Sequence, residues 1–339
     1  MKNFNNILEI DGKKIGPHCP TFFIAEAGLN HNGDIKLAKK LIDEAKSSGA
    51  SAVKFQTYQT EEFVRKSNKY FDLFKQAQLT YDEFGELSDY SKSQGITFFS
   101  APFDIESADF LKKIGVPCFK IASSDLINIP LISHVAKMNL PMIISTGLAT
   151  MNEVEQAVNC CLYEGNSKIA LLHCIAHYPT IPEEANLDAI ATMKEHFSCP
   201  VGYSDNGEST LVDLTAVSIG ANLIEKHFTL DKTMNGPDHS FSIDPNGLKY
   251  LMKQIGTIEQ IKGDGEKIPR KSELEGRYYI RTSITTRNPV KKGEVLSKEN
   301  LGIKRPAEGI EPKYYEQIIG RKAKRDLDLD SAIKWEDLE

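Results

Sequence analysis

Two lysines stand inside apolar strings, Lys54 in SAVKFQ and Lys120 in CFKIAS. An ammonium so placed is costly unless an anion faces it, because burial strips its hydration. One reading pairs each lysine with a structural carboxylate such as Glu26 or Glu225; the other leaves both cations for an anionic ligand. Further apolar runs end in groups able to do chemistry: Gln56, Ser100, Ser123, Ser145 with Thr146, Ser204 with Asp205, and Glu225 with His227. Two ammonium groups and the hydroxyls of Ser123, Ser145 and Ser204 suit a small molecule carrying phosphate and carboxylate. No Walker loop is present, so a nucleotide is not implied. Ser145-Thr146-Gly147 reads equally as turn chemistry. Alone, His227 reads as a core histidine; beside Glu225 at the end of a run it becomes a metal or acid–base candidate. His173, inside ALLHC, reads as structural, and the Asn-Gly turn accounts for His31 in LNHNGD.

These residues need a scaffold that brings them together. Eight apolar runs rich in β-branched and aromatic residues occupy 21–28, 51–58, 96–103, 117–124, 141–147, 168–175, 199–205 and 222–229. Continuous rather than alternating apolar runs suit parallel strands covered on both faces. Helical patterns lie between them, two opening on capping boxes at Thr80/Glu83 and Thr150/Glu153. After Thr150, the residues Val154, Ala157, Val158, Cys161 and Leu162 repeat at helical spacing. Eight strand–helix repeats fit an α/β fold of the (β/α)8 TIM-barrel kind, whose chemistry gathers at the C-terminal strand ends. A doubly wound sheet fits less well, since no GxGxxG opens the first helix. The pattern places the barrel at residues 1–261, a polar linker at 262–279 (KGDGEKIPRKSELEGR within it) and a small, mainly β domain at 280–339.

Composition narrows the partners. A net charge of -6 argues against a nucleic-acid binder and against a basic membrane-surface face. No run approaches the ~20 apolar residues of a membrane span, and MKNFNNILEIDGKK has no apolar core of a signal peptide. The six cysteines show no CxxC pair and read as reduced, mostly buried small hydrophobes of a cytoplasmic protein.

Strings in order along the whole chain resemble the sialic acid synthase family, whose products include N-acetylneuraminate-, legionaminate- and pseudaminate-type acids. They are IAEAGLNHNGD, VKFQTY, FSAPFD, FKIASSD, STGLAT, LLHCIAHYPT, VGYSDN and EKHFTLDKTMNGPDHSFS; the tail KKGEVLSKENLGIKRPAEGI resembles that family's SAF (antifreeze-like) domain. The resemblance implies condensation of phosphoenolpyruvate (PEP) with N-acetylmannosamine or a related 2-acetamido or 2,4-diacetamido hexose. PEP would lie on Lys54 and Lys120, its phosphate held also by Ser123, Ser145 and Ser204, with Glu26 handling protons. Asp125, Tyr178, Asp238 and Arg305 match sugar-contacting positions. A divalent metal, Mn²⁺ or Mg²⁺, would polarise the aldehyde, and a domain-swapped homodimer is implied.

Three departures from the family pattern follow. Asn206 stands where the family's SDH motif has a histidine that binds metal with the counterpart of His227, and amide oxygen is a harder, weaker ligand. Ala176 replaces an asparagine, and Asp125 replaces a glutamate. The last two line the sugar side and lean towards a modified hexosamine. A Schiff-base aldolase using Lys54 or Lys120 and a non-catalytic carbohydrate-binding homologue remain as alternatives.

Overall fold

The structure, a computed structural model, describes residues 6–339. The chain forms two units, Met1–Gly263 and Asp264–Glu339.

The first unit opens with a hairpin, β1 (Leu8–Ile10) and β2 (Lys13–Ile15). Its turn, Asp11-Gly12, has positive φ at both residues (51° and 73°), the conformation that Asp-Gly favours and that matches strand twist. Leu8, Ile10 and Ile15 join the barrel core. Lys13 donates to Ser51 O (2.6 Å) and Thr97 Oγ1 (2.8 Å), at the starts of two barrel strands, so the hairpin covers the N-terminal end of the barrel.

The barrel strands are β3 (Phe22–Gly28), β4 (Ala52–Thr57), β5 (Thr97–Pro102), β6 (Phe119–Ile121), β7 (Met142–Ser145), β8 (Ile169–Cys174), β9 (Val201–Asp205) and β10 (Leu223–His227). All are parallel, and β10 pairs with β3 to close the ring. Each falls within one of the eight apolar runs. The helices between them bury their apolar stripes against the strands; in Met151–Tyr163 the buried set is Val154, Ala157, Val158 and Cys161. Both capping boxes form, with Thr80 and Glu83, and Thr150 and Glu153, bonded reciprocally. Among the described residues, no helix is long and apolar enough to cross a membrane.

In the second unit β11 (Ser283–Thr286) pairs antiparallel with β12 (Leu301–Lys304). Ile284, Val290, Leu296, Leu301, Ile318, Leu327 and Ile333 give this unit a core of its own. The stretch read as a linker is more ordered than its composition suggests. The last barrel helix, Pro245–Lys262, runs into it, and Leu274–Ile280 is helical. Glu273 accepts the Arg270 N–H at 2.8 Å at the start of that turn, and Tyr278 O accepts the Ala307 N–H, tying the helix to the segment after β12 within the second unit.

Candidate active site

Strand register carries the polar residues to one end of the barrel. His227 is level with Glu26, Glu26 with Lys54, and Glu225 with Ser204. Alternation along each strand then turns Glu26, Lys54, Lys120, Ser145, Ser204 and Glu225 inward.

Lys54 is 3% exposed, and its Nζ lies 2.8 Å from Glu26 Oε2 and 3.5 Å from Glu225 Oε1. Lys120 is 3.7 Å from the same Glu225 oxygen and donates to Ser145 Oγ (2.6 Å) and Ile121 O (3.1 Å). Two ammonium groups thus converge on one carboxylate oxygen, which also accepts Ser204 Oγ at 3.3 Å. Each lysine has a glutamate partner, as the first reading expects, and the two pairs share Glu225 in one buried cluster. Burial alone would lower the Lys54 pKa, but Glu225 and Glu26 outweigh it and raise it. For Lys120 burial wins over Glu225, and the neighbouring Lys54 charge adds to it, so its pKa is lowered. Burial would raise Glu225, but Lys120 and Lys54 hold it below the usual carboxylate range.

Ser123 belongs to the turn after β6 and accepts the Gly147 N–H at 3.0 Å. A β-carbon at Gly147 would stand 2.8 Å from Ser123 Oγ, so glycine is what lets the STG turn approach. Cys174, at the end of β8, sits within hydrogen-bonding reach of Ser123 and Ser204 and 3.5 Å from Asn206 Nδ2. Sequence reasoning missed this cysteine as a pocket residue, because nothing in its spacing separates it from the other five. Burial raises its thiol pKa.

At the rim, His227 meets Tyr178 and Phe241 edge-on, with ring centroids 5.8 and 5.3 Å away, and its Nδ1 is 3.7 Å from Asp238 Oδ2. Phe241 was not foreseen; its signal was only an aromatic in a polar loop. The Asp125 carboxylate accepts Ser124 Oγ (2.8 Å) and Asn128 Nδ2 (3.2 Å), beside the start of the following helix. Arg305 lies in the second unit, exposed, in a groove that Arg277, Arg281 and Lys313 also line. His31 and His173 each make a bond to the backbone. His31 accepts the Gly33 N–H at 3.2 Å in its turn, and the His173 ring bonds Ala185 O at 2.9 Å.

The donors for a metal can be tested on the same geometry. Among the described residues, no group of three or more His, Cys, Asp or Glu is arranged to hold one. His227 Nδ1, however, is buried without a hydrogen-bond partner among the described residues, with a carboxylate close by. Asn206 donates Nδ2 to Ile175 O at 2.8 Å, which leaves its amide oxygen as the end able to coordinate. One imidazole with oxygen donors fits a hard divalent cation rather than a soft one.

Residues 41–267 match the NeuB family model, and residues 281–339 match the SAF domain. The chain is 47% identical over 98% of its length to an uncharacterised protein of Methanocaldococcus jannaschii, covering 98% of that protein. It is 41% identical to the N,N'-diacetyllegionaminic acid synthase of Legionella pneumophila, covering 96% of this chain and 97% of that one. Among solved structures, the N-acetylneuraminic acid (sialic acid) synthetase of Leptospira borgpetersenii, in complex with citrate, superposes with a TM-score of 0.77. It shares 39% identity over 81% of this chain and 96% of that one.

Proposed function

The chain belongs to the NeuB family of PEP-condensing acid synthases, and on that premise we propose that its acceptor is a 2-acetamido or 2,4-diacetamido hexose. The products are a nine-carbon 2-keto sugar acid and phosphate. One observation carries this reading: Lys54 and Lys120, both buried, converge on a single oxygen of Glu225 beside the hydroxyls of Ser145 and Ser204. A phosphate-bearing carboxylate would displace Glu225 as the shared partner of the two cations, with Ser123, Ser145 and Ser204 donating to its oxygens. The diacetylated, modified sugar is favoured over N-acetylmannosamine by Ala176 and Asp125 and by the likeness to the legionaminic acid synthase.

C3 of PEP attacks the aldehyde carbon of the open-chain sugar, and the aldehyde oxygen takes a proton to become a hydroxyl. Water adds at C2, losing a proton, and the resulting tetrahedral carbon expels phosphate with cleavage of the C–O bond. Glu26 would handle the proton steps; the contacts of Lys54 and of Gln56 Nε2 (3.1 Å) with its carboxylate support that role. The two ammonium groups offset the anionic charge of PEP throughout. Tyr178, Asp238 and Asp125 line the sugar side. His227 and the Asn206 oxygen would hold Mn²⁺ or Mg²⁺, which supplies Lewis acidity to the aldehyde oxygen. The reading extends to a cytoplasmic homodimer in which Arg305 serves the partner's barrel.

Phosphate release from PEP with a panel of hexosamines in ¹⁸O-water tests this. Release should require a 2-acetamido sugar, and the label should enter the keto acid. Label in phosphate would mean P–O cleavage and rule out the mechanism; imine trapping by borohydride with pyruvate would favour the aldolase.

A further inference from the structure

Behind the pocket, between β9, β10 and the helix Thr210–Ser218, lies a second buried charge cluster. Lys226 bonds Asp205, stands 3.1 Å from Asp213 Oδ2 and donates to Gly207 O at 2.8 Å. Asp205 Oδ1 accepts the Gly207 N–H at 2.8 Å. Lys226 and Asp205 are each 1% exposed and Asp213 not at all, in a strand–helix layer otherwise built from apolar side chains.

Such a cluster is a poor source of stability. Charges taken out of water lose hydration that their attraction only just restores, and apolar replacements are often neutral or stabilising. Its geometry points elsewhere. Lys226 lies between Glu225 and His227, and Asp205 lies between Ser204 and Asn206. Both also grip Gly207, two residues beyond the end of β9. We infer that the Lys226–Asp205–Asp213 cluster is a positioning device for the reaction proposed above, on which this inference rests. It locks the ends of β9 and β10 in register from outside the barrel, so that Ser204, Asn206, Glu225 and His227 keep fixed separations inside it. Ion pairing supplies direction where apolar packing would let two short strand ends slide. Asp205 and Lys226 are the clamp, because they hold Gly207; Asp213 balances the ammonium.

Two variants separate the roles. Asp213→Asn keeps the clamp, so kcat and both KM values should stay within about twofold of the parent. Lys226→Met combined with Asp213→Leu removes the clamp and leaves no second carboxylate facing the new apolar stem. Asp205 is left buried with the Gly207 N–H as its partner, so the variant should melt roughly 6–12 °C below the parent yet stay folded at 25 °C, and there lose at least ~10-fold in kcat/KM for PEP. Amide exchange should rise in the peptide spanning residues 204–208 and stay unchanged in peptides of β4 and β5. Lys226→Arg, which keeps the charge, should recover part of the activity. Parent-like kinetics in the double variant would overturn the inference. So would unfolding of both variants, which would make the cluster a stability element alone. If the parent itself fails to condense PEP, the exchange data still decide whether the clamp orders residues 204–208.

Discussion

Glu225→Gln should weaken the fold and strengthen anion binding at once. The Glu225 oxygen lies 3.5 Å from Lys54 and 3.7 Å from Lys120. At an effective dielectric of about 20, each attraction is roughly 4–5 kcal/mol before desolvation is subtracted. Lys54 retains Glu26 in the variant, whereas Lys120 is left with the neutral Ser145 hydroxyl and the Ile121 carbonyl. Stranding a buried ammonium in this way costs about 3 kcal/mol, the low end for breaking a buried pair. That lowers the melting temperature by roughly 6–12 °C. The same change removes a negative charge from the place that PEP must occupy. Repulsion between unit charges about 5 Å apart is roughly 3 kcal/mol at that dielectric, and solvent in the open mouth reduces it to about 2. PEP and inorganic phosphate should therefore bind about 30-fold more tightly. Scanning calorimetry and isothermal titration at fixed ionic strength read both effects. A variant that melts higher and binds PEP more weakly would show that Glu225 assists the ligand rather than standing in for it, and the argument would fall.

The remaining expectations concern acid stability, the metal and the tail domain. Burial holds the His31 pKa down at about 4, so this histidine folds neutral and must stay so. Its contribution is complete above about pH 6.5 and is lost as pH falls through 4, about 3 kcal/mol in all. Denaturant titrations across that window should show the slope, and His31→Asn should flatten it. EDTA should lower activity and Mn²⁺ or Mg²⁺ restore it; His227→Ala should abolish metal binding, and Asn206→His should tighten it about 10-fold by calorimetry. Full activity in chelated enzyme would remove the metal. Arg305→Ala should cost one to two decades in sugar kcat/KM with PEP KM nearly unchanged, as loss of a charge-assisted bond worth roughly 1.5–3 kcal/mol predicts. Refolded mixtures of Glu26→Ala and Arg305→Ala chains should regain activity if the tail works on the partner's barrel. Their failure, with mixed dimers confirmed, would put the tail on its own barrel.

The barrel was legible from residue types alone because parallel strands buried on both faces must be apolar throughout, and eight such runs recur with capped helices between them. The same rule exposed Lys54 and Lys120, since a charge in an apolar run is an anomaly that demands a partner. Lys226, in NLIEKHFT, carried the same anomaly and was passed over, because sequence does not say which way a strand residue faces. The Asp-Gly turn at residues 11–12 was also available as a hairpin signal, but three-residue strands offer too short a pattern to read with it. What the sequence determined by itself is therefore the set of local preferences: strand, helix, cap, and the residues too polar for where they stand. Which partners meet was decided only by the closed ring. Parallel register across β10, β3 and β4 puts His227, Glu26 and Lys54 side by side, although some 200 residues separate the first from the second. Inward and outward faces then sort neighbours in the chain into different environments, Glu225 into the pocket and Lys226 into the layer behind it. That division depends on strand tilt and stagger, which belong to the barrel as a whole and to no single stretch of residues.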